Sequence, residues 1–326
     1  GLLGAAMPAS VGGSQLPGVV ARACFAWFQA ANVGTAAYPF LTLGATNLLL
    51  AHGSPELVER YVRPMVDGRF HGTMCLSEPQ AGSDAAALTC RAEAVDGGYR
   101  VTGTKAWITH GGKADFYALF VRASAGITCF HAPGAVEGLT FGAPEQKMGL
   151  HGIPTTAAYW DGAVIEGDRL IGAEGQGLQI AFSALDSGRL GIAACATGLA
   201  QAALDTATAY ANERMTFGRK ILDHQGLGFL LADMAAAVDS ARATYLDAAR
   251  RRDAGRPYSR QASVAKLIAT DAAMKVTTDA VQVLGGYGYT RDFPVERYMR
   301  EAKIMQIFEG TNQIQRLVIS RSLALK

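Results

Sequence analysis

The sequence predicts an α+β multidomain protein: a truncated helical N-terminal domain over residues 1–72, a small antiparallel β-barrel or sandwich over 73–174, and a C-terminal four-helix bundle over 175–326. Three observations carry this prediction. Apolar, Ala-rich stretches of helical length fill the first 72 residues. From Thr73 the texture changes to short strand-like runs broken by glycine turns. After Gly175-Gln176-Gly177 the apolar residues recur three and four apart, the spacing of one helix face.

Residues 8–17 form a Gly/Pro/Ser-rich connection, and helices are predicted over 19–31, 40–51 and 55–66. Ser54 is the expected cap of the third helix, with Pro55 at its first position. Strands are predicted at 99–104, 106–109, 116–121, 127–131 and 157–165. Turns at Gly97-Gly98, Gly111-Gly112, Pro133-Gly134 and 149–154 separate them. In the bundle, Leu227, Leu230, Leu231, Met234, Val238, Ala241 and Tyr245 share one helix face, closed by Gly255. Leu267, Ile268, Ala272, Val276, Ala280 and Val283 share another, which ends at Gly285-Gly286. Helices over 178–210 and 311–323 complete the four.

Composition narrows the function. A chain of 326 residues with 49% hydrophobic content can bury more than one core. The formal net charge is +2, and the one tight basic run, Arg250-Arg251-Arg252, falls at a helix end where cations complement the dipole. Nucleic acid is therefore not expected as a partner. Cys24, Cys75, Cys90, Cys129 and Cys195 lie far apart with no CxxC pair, so neither a disulfide framework nor a metal site is expected. That usage suits a reducing compartment. No apolar run is expected to reach the roughly eighteen residues of a membrane span, and Gly1-Leu2-Leu3-Gly4 carries no secretory n-region.

Several segments could carry chemistry. In 303–316, Ile304, Ile307 and Phe308 are expected to wall Glu309 in apolar surroundings. Gly310 lets backbone or ligand come close, and Thr311 caps a helix that carries Ile314, Leu317 and Val318 inward. A carboxylate in that setting has a raised pKa, as a general base requires; the plainer alternative is an acid complementing a helix N-terminus. Ser77-Glu78-Pro79-Gln80-Ala81-Gly82-Ser83-Asp84 is a tight turn whose hydroxyls and amides suit a flat polar ligand, or simply a turn. Trp107, beside Thr104 and Thr109, suits a ring that needs stacking, or else packs in the core. Arg214 could meet phosphate and Phe217 an apolar ring. Gln282-Val283-Leu284-Gly285-Gly286-Tyr287-Gly288 lets backbone approach a ligand, and it is not the GxGxxG fingerprint, which needs a preceding strand.

Taken together and in order, five segments resemble the signatures of the acyl-CoA dehydrogenases, with the first helices missing. They are Cys75-Leu76-Ser77-Glu78-Pro79-Gln80-Ala81-Gly82-Ser83-Asp84, Trp107-Ile108-Thr109, Glu213-Arg214-Met215-Thr216-Phe217-Gly218, Gln282 to Gly288, and Phe308-Glu309-Gly310-Thr311. The resemblance implies FAD held between the β module and the bundle. Leu76, Ser77, Gly82 and Ser83 would meet the flavin region, flanked by Trp107, Ile108 and Thr109. It also implies that Arg214, Phe217, Gln225, Gln282, Val283, Gly285 and Gly286 hold the cofactor of a second subunit, in a homodimer or homotetramer. Phe308, Thr311 and Gln313 would contact their own. Glu309 stands where the family's main branch has its base. Asp186 and Arg189 match positions that meet coenzyme A, and Ser83, Gly310 and Arg321 are further candidates for substrate contact. The implied reaction turns an acyl-CoA into a trans-2-enoyl-CoA and passes electrons to electron-transfer flavoprotein. His151-Gly152 and Tyr159-Trp160-Asp161-Gly162-Ala163 depart from the usual pattern and leave acyl specificity open.

Overall fold

The computed structural model describes residues 3–324; Gly1, Leu2, Leu325 and Lys326, at the ends of the expected first and last domains, lie outside the described residues. Two compact units result. The first gathers Gly1–Leu16, Tyr38–Gln146 and His151–Leu185, and the second Pro17–Ala37, Lys147–Leu150 and Asp186–Lys326.

The early helices are α1 (Gly18–Ala31), α2 (Val33–Ala36), α3 (Phe40–His52), α4 (Pro55–Leu57) and α5 (Arg63–Val66). The Ser54 hydroxyl accepts from the Leu57 amide at 3.3 Å, as the cap signal predicts. The helix predicted over 55–66 is not continuous: a π turn over Val58–Val62 separates α4 from α5. Pro64, with no amide to give, stands just inside α5, so a regular α ladder loses a donor there. The short α2 escaped prediction; Asn32 caps it, accepting from the Thr35 amide at 2.9 Å.

The strands of the first unit are β1 (Gly72–Cys75), β2 (Arg91–Val95), β3 (Gly98–Thr109), β4 (Phe116–Ala123), β5 (Gly126–Pro133), β6 (Leu139–Phe141), β7 (Thr155–Glu166) and β8 (Leu170–Ile171). They form one eight-stranded sheet in the order β6-β7-β3-β2-β4-β5-β8, with β1 beside β4. Two pairings, β1 with β4 and β2 with β4, run parallel, which alternation of residues alone did not reveal. The apolar run Phe116–Val121 in β4 is buried on both faces. Phe116, Ala118 and Phe120 face Leu48, Leu49 and Met65, while Tyr117, Leu119 and Val121 join Val101 and Trp160. A strand covered on both sides reads as a continuous apolar run, and this one does.

Helix α6 (Gly177–Glu213) leads into the second unit, followed by α7 (Gln225–Asp253), α8 (Ser259–Leu284), α9 (Val295–Met305) and α10 (Asn312–Leu323). Leu231, Met234, Val238, Ala241 and Tyr245 are buried along α7, as their spacing predicts. Helix α9 is a fifth helix beyond the four expected. Residues Leu267 and Ile268 are only half-buried. The buried stripe of α8 runs Ala262, Lys266, Ala269, Ala273, Val276, Ala280, and it contains a lysine. The inward face of α10 also differs from the expectation: Leu317 is exposed and Ile314 and Val318 half-buried, while Asn312 and Gln315 are buried.

Contrary to the sequence expectation, two stretches are long and apolar enough to cross a membrane by length and composition, Val33–His52 and Gly177–Glu213. Neither makes a clear span. A turn at 37–39 interrupts the first. The apolar window of the second is 72% buried within the protein, as befits a core helix.

Candidate active site

In the second unit, α9 ends at Met305 and the chain turns through Glu309 and Gly310 into α10. Both turn residues are left-handed, Glu309 at φ 55° and Gly310 at φ 83°. Glycine takes that conformation freely; for glutamate it costs of order 1 kcal/mol or more and persists only where neighbours impose it. The neighbours here are specific. The Gln315 amide donates to the carbonyls of Glu309 (3.2 Å) and Gly310 (2.8 Å). Lys266 Nζ donates to the Gly310 carbonyl and to Asn312 Oδ1, both at 2.8 Å. The Asn312 backbone amide reaches back to Gln306 at 3.0 Å. Thr311 caps α10, accepting from the Ile314 amide at 3.3 Å.

The Glu309 side chain lies over Gly188 of α6: a Cβ built on that glycine would stand 2.2 Å from Glu309 Oε2. Glu309 as a residue keeps some exposed surface, but its carboxyl group is packed about by protein. Burial pushes this carboxyl up to about 7, against the opposing pull of the Arg189 and Lys266 charges. The expected apolar wall is incomplete, since Ile307 is 49% exposed while Phe308 is half-buried. Arg189 is buried, and its Nη1 donates to Asp186 Oδ1 at 2.7 Å; Asp186 also accepts from Ser259 at 3.0 Å. Arg189 Nε is buried without a hydrogen-bond partner. Asp186, Gly188, Arg189 and Glu309 therefore come together, whereas Arg321 is exposed in the last turn of α10, nine residues or about 14 Å along the helix from Asn312.

The other expected residues of the second unit lie at several places in it. Phe217 (φ 51°) and Gly218 (φ 77°) form the two-residue turn of a hairpin between β9 (Met215–Thr216) and β10 (Arg219–Lys220). The hairpin tip leaves Phe217 94% exposed. Arg214, just before it, opens on a cavity of about 550 Å³ shared with Tyr210, Glu213, Tyr287 and Phe293. Gln225 is exposed at the start of α7. Gln282, Gly285 and Gly286 are exposed at the end of α8, with Val283 buried beneath. Gln313 is exposed and Thr311 half-buried.

In the first unit, two segments far apart in sequence are joined. The Ala106 amide donates to the Ser77 carbonyl at 2.9 Å, and Lys105 Nζ donates to the Leu76 carbonyl at 3.0 Å. Along β3, Lys105 pairs with Ala158 and Ile108 with Thr156, so one extra residue bulges from the ladder. Trp107 sits in that bulge at φ 62° and is 63% exposed, which removes the core-packing alternative for its indole. Ile108 points into the core, leaving its backbone alone for any ligand. Leu76, Ser77 and Thr109 are half-buried, and Gly82 and Ser83 lie exposed on the turn.

Beneath this surface runs a buried ion pair. Glu78 Oε1 accepts from Lys105 Nζ (2.8 Å) and the Cys90 amide (2.9 Å). Its Oε2 accepts from the Thr89 amide (2.7 Å), the Thr89 hydroxyl (3.0 Å) and the Gln80 side chain (2.7 Å). Burial alone would raise the Glu78 carboxyl, but Lys105 and these amides outweigh it and hold it at about 2. Glu78 stands within a quoted motif with no role assigned to it, and the sequence alone does not single out Lys105, Lys266, Asn312 or Gln315. The legible signal for Lys266 is its place in the four-three spacing of the α8 stripe.

This arrangement, a mixed sheet with an outward tryptophan and a helical unit presenting an enclosed carboxylate, is that of a known family. A model of the acyl-CoA dehydrogenase middle domain matches residues 73–163, and one of the C-terminal domain matches 175–324. An acyl-CoA dehydrogenase of Bacillus subtilis is 40% identical over 99% of this chain and 87% of its own length. The solved butyryl-CoA dehydrogenase of Megasphaera elsdenii is 37% identical with a TM-score of 0.95, over all of this chain and 88% of that one. A chain from structural work on the electron transferring flavoprotein of Acidaminococcus fermentans has a TM-score of 0.97 at 39% identity, over all of this chain and 87% of that one. The chain belongs to the acyl-CoA dehydrogenase family, FAD-dependent oxidoreductases of fatty acid metabolism.

Proposed function

We propose that Glu309 is the general base that removes the α-proton of an acyl-CoA thioester, giving a trans-2-enoyl-CoA. The observation that carries this reading is the enclosed, raised carboxyl held over Gly188 by a strained turn. An α-proton beside a thioester is weakly acidic, so a base lifted to about 7 is better matched to it than an ordinary glutamate. The Glu309 backbone amide donates to the thioester carbonyl and stabilises the developing enolate. FAD, when bound, supplies the acceptor for the hydride that leaves the β-carbon. Arg189, Asp186, Ser83, Gly310 and Arg321 contact the substrate, with Arg189 offering its unpaired Nε.

The residues present fit that cofactor. Trp107 presents an exposed indole for stacking, with Ile108 and Thr109 next to it in sequence and the carbonyls of Leu76 and Ser77 bonded to Lys105 and Ala106 of the same strand; Ser83 is exposed on the turn that follows Ser77. A Cβ at Gly82, Gly285 or Gly286 would meet nothing within 4 Å, so backbone is open to a ligand there. Phe308, Thr311 and Gln313 serve the chain's own FAD. Arg214, Phe217, Gln225, Gln282, Val283, Gly285 and Gly286 serve the FAD of a second copy, in a homodimer or homotetramer. Domain roles follow residues 1–72, 73–174 and 175–326. Electrons leave to electron-transfer flavoprotein, a partner supported by the likeness to the Acidaminococcus chain. The setting is the bacterial cytoplasm or, in a eukaryote, the mitochondrial matrix.

Two expected results follow from these roles. The base acts only when ionised, and its free-enzyme pKa is raised, so kcat/KM for butyryl-CoA falls about tenfold per pH unit below about 7 and levels off above it. A pH profile with an artificial electron acceptor reads this; a flat profile from pH 5.5 to 8.5 contradicts it. Arg214→Ala weakens FAD retention and assembly together, because one contact serves both. Size-exclusion chromatography with the flavin-to-protein absorbance ratio measures both. A stable monomer with full FAD would refute the shared site.

A further inference from the structure

Lys266 has no part in the chemistry above, yet it is fully buried, with Ala262, Ser263, Ala269 and Thr270 the buried residues a turn away on its helix. Burying an ammonium there is costly, and a methionine would fill the space without that cost. What the lysine gains is the turn: Nζ donates at 2.8 Å to the carbonyl of Gly310, the residue after Glu309, and at 2.8 Å to Asn312 Oδ1 at the start of α10. Asn312 in turn donates to Thr270 Oγ1 (2.9 Å) and Asp271 Oδ1 (2.7 Å), tying the same turn back to α8. The charged groups that face Lys266 are Glu309 from the turn, Arg189 from α6 and Asp271 from its own helix. Asp271 is already engaged by Gln306 (2.8 Å) and by Arg316 of α10 (3.1 Å). Glu309 is therefore the acid on which the Lys266 charge has most to act.

We propose that Lys266 is the positioning residue of the base: its ammonium fixes the turn that carries Glu309 and, with Arg189, supplies the positive field in which that carboxylate ionises. The proposal deepens the reading of Glu309 as base and rests on it. Burial draws the Lys266 ammonium down, against the pull of Glu309 and Asp271, and each of Lys266 and Glu309 favours the charged form of the other, so their protons are linked. Loss of the positive neighbour raises the carboxyl pKa.

The test is the titration of Glu309 itself, in FAD-loaded protein without substrate. Infrared difference spectra of protein carrying 13C-labelled glutamate give its carboxyl band, identified by its loss in Glu309→Gln. In Lys266→Met the midpoint moves upward by about one pH unit or more, a tenfold change in proton affinity, and the acidic limb of kcat/KM moves with it. An unmoved band with only a lower melting temperature would show a merely structural lysine and overturn the proposal. A band that moves while the acidic limb stays would uphold the Lys266–Glu309 coupling and remove Glu309 as the base. If Lys266→Met does not fold, wild-type protein 15N-labelled at lysine answers instead. One Nζ whose titration midpoint falls in Glu309→Gln protein labelled the same way supports the assignment, and lysines unmoved by that change overturn it.

Discussion

Glu309→Gln yields folded, yellow, FAD-loaded protein that binds acyl-CoA and turns it over about a hundred- to ten-thousand-fold more slowly. Glutamine keeps the shape over Gly188, so packing against α6 is preserved. It removes a carboxyl raised by burial to about 7, which relieves a desolvation cost, so stability is unchanged or improved. The pH dependence of stability follows the same sign. A carboxyl raised in the folded state penalises folding as pH climbs from about 4.5 through about 7, and Glu309→Gln abolishes that decline. Steady-state turnover of butyryl-CoA with an artificial acceptor, beside a thermal melt, separates lost chemistry from lost fold. Near-native turnover would move the search for the base to Asp186.

The second large effect is on stability. Lys105→Met leaves Glu78 buried with its charge uncompensated, and removal of one partner from such a pair costs about 3–5 kcal/mol. Glu78→Gln strands the Lys105 ammonium and weakens the acceptors of the Thr89 and Cys90 amides, at a similar cost. Lys105→Met also frees the Leu76 carbonyl and the turn that follows, so FAD dissociates more readily. Because the Glu78 carboxyl is held at about 2, below its unfolded value of 4.5, its contribution is complete above about pH 4.5 and is lost as pH falls toward 2. Urea unfolding of holoenzyme at neutral pH measures the loss; a change below 1 kcal/mol would mean that water relieves the stranded charge.

Much of the fold was legible because its signals are periodic. The α7 stripe from Leu231 to Tyr245 and the buried run of β4 follow from spacing alone. Parallel pairing of β1 with β4 was not legible, since a four-residue strand carries no mark of its neighbour's direction. The inward face of α10 differs from the expectation for a chemical reason: Gln315 is buried donating to the Glu309 and Gly310 carbonyls, Asn312 is buried bonding to Lys266 and Asp271 of α8, and hydropathy ranks both outside. The motif around Glu309 pointed to the residue itself, while the groups that hold it come from α8 and α6, some 40 and 120 residues away. A one-dimensional pattern ties Lys266 to its helix face and says nothing of which turn lies across from it.

Anaerobic mixing of the FAD-loaded protein with butyryl-CoA, followed by flavin absorbance, tests the central claim most directly. The oxidised flavin band bleaches rapidly in the wild-type protein, with a crotonyl-type enoyl thioester as product, and the yellow colour persists in Glu309→Gln. Bleaching of the Gln variant at near-wild-type rate would contradict it, as would a wild-type flavin that stays oxidised across a panel of acyl-CoA thioesters from short to long chain.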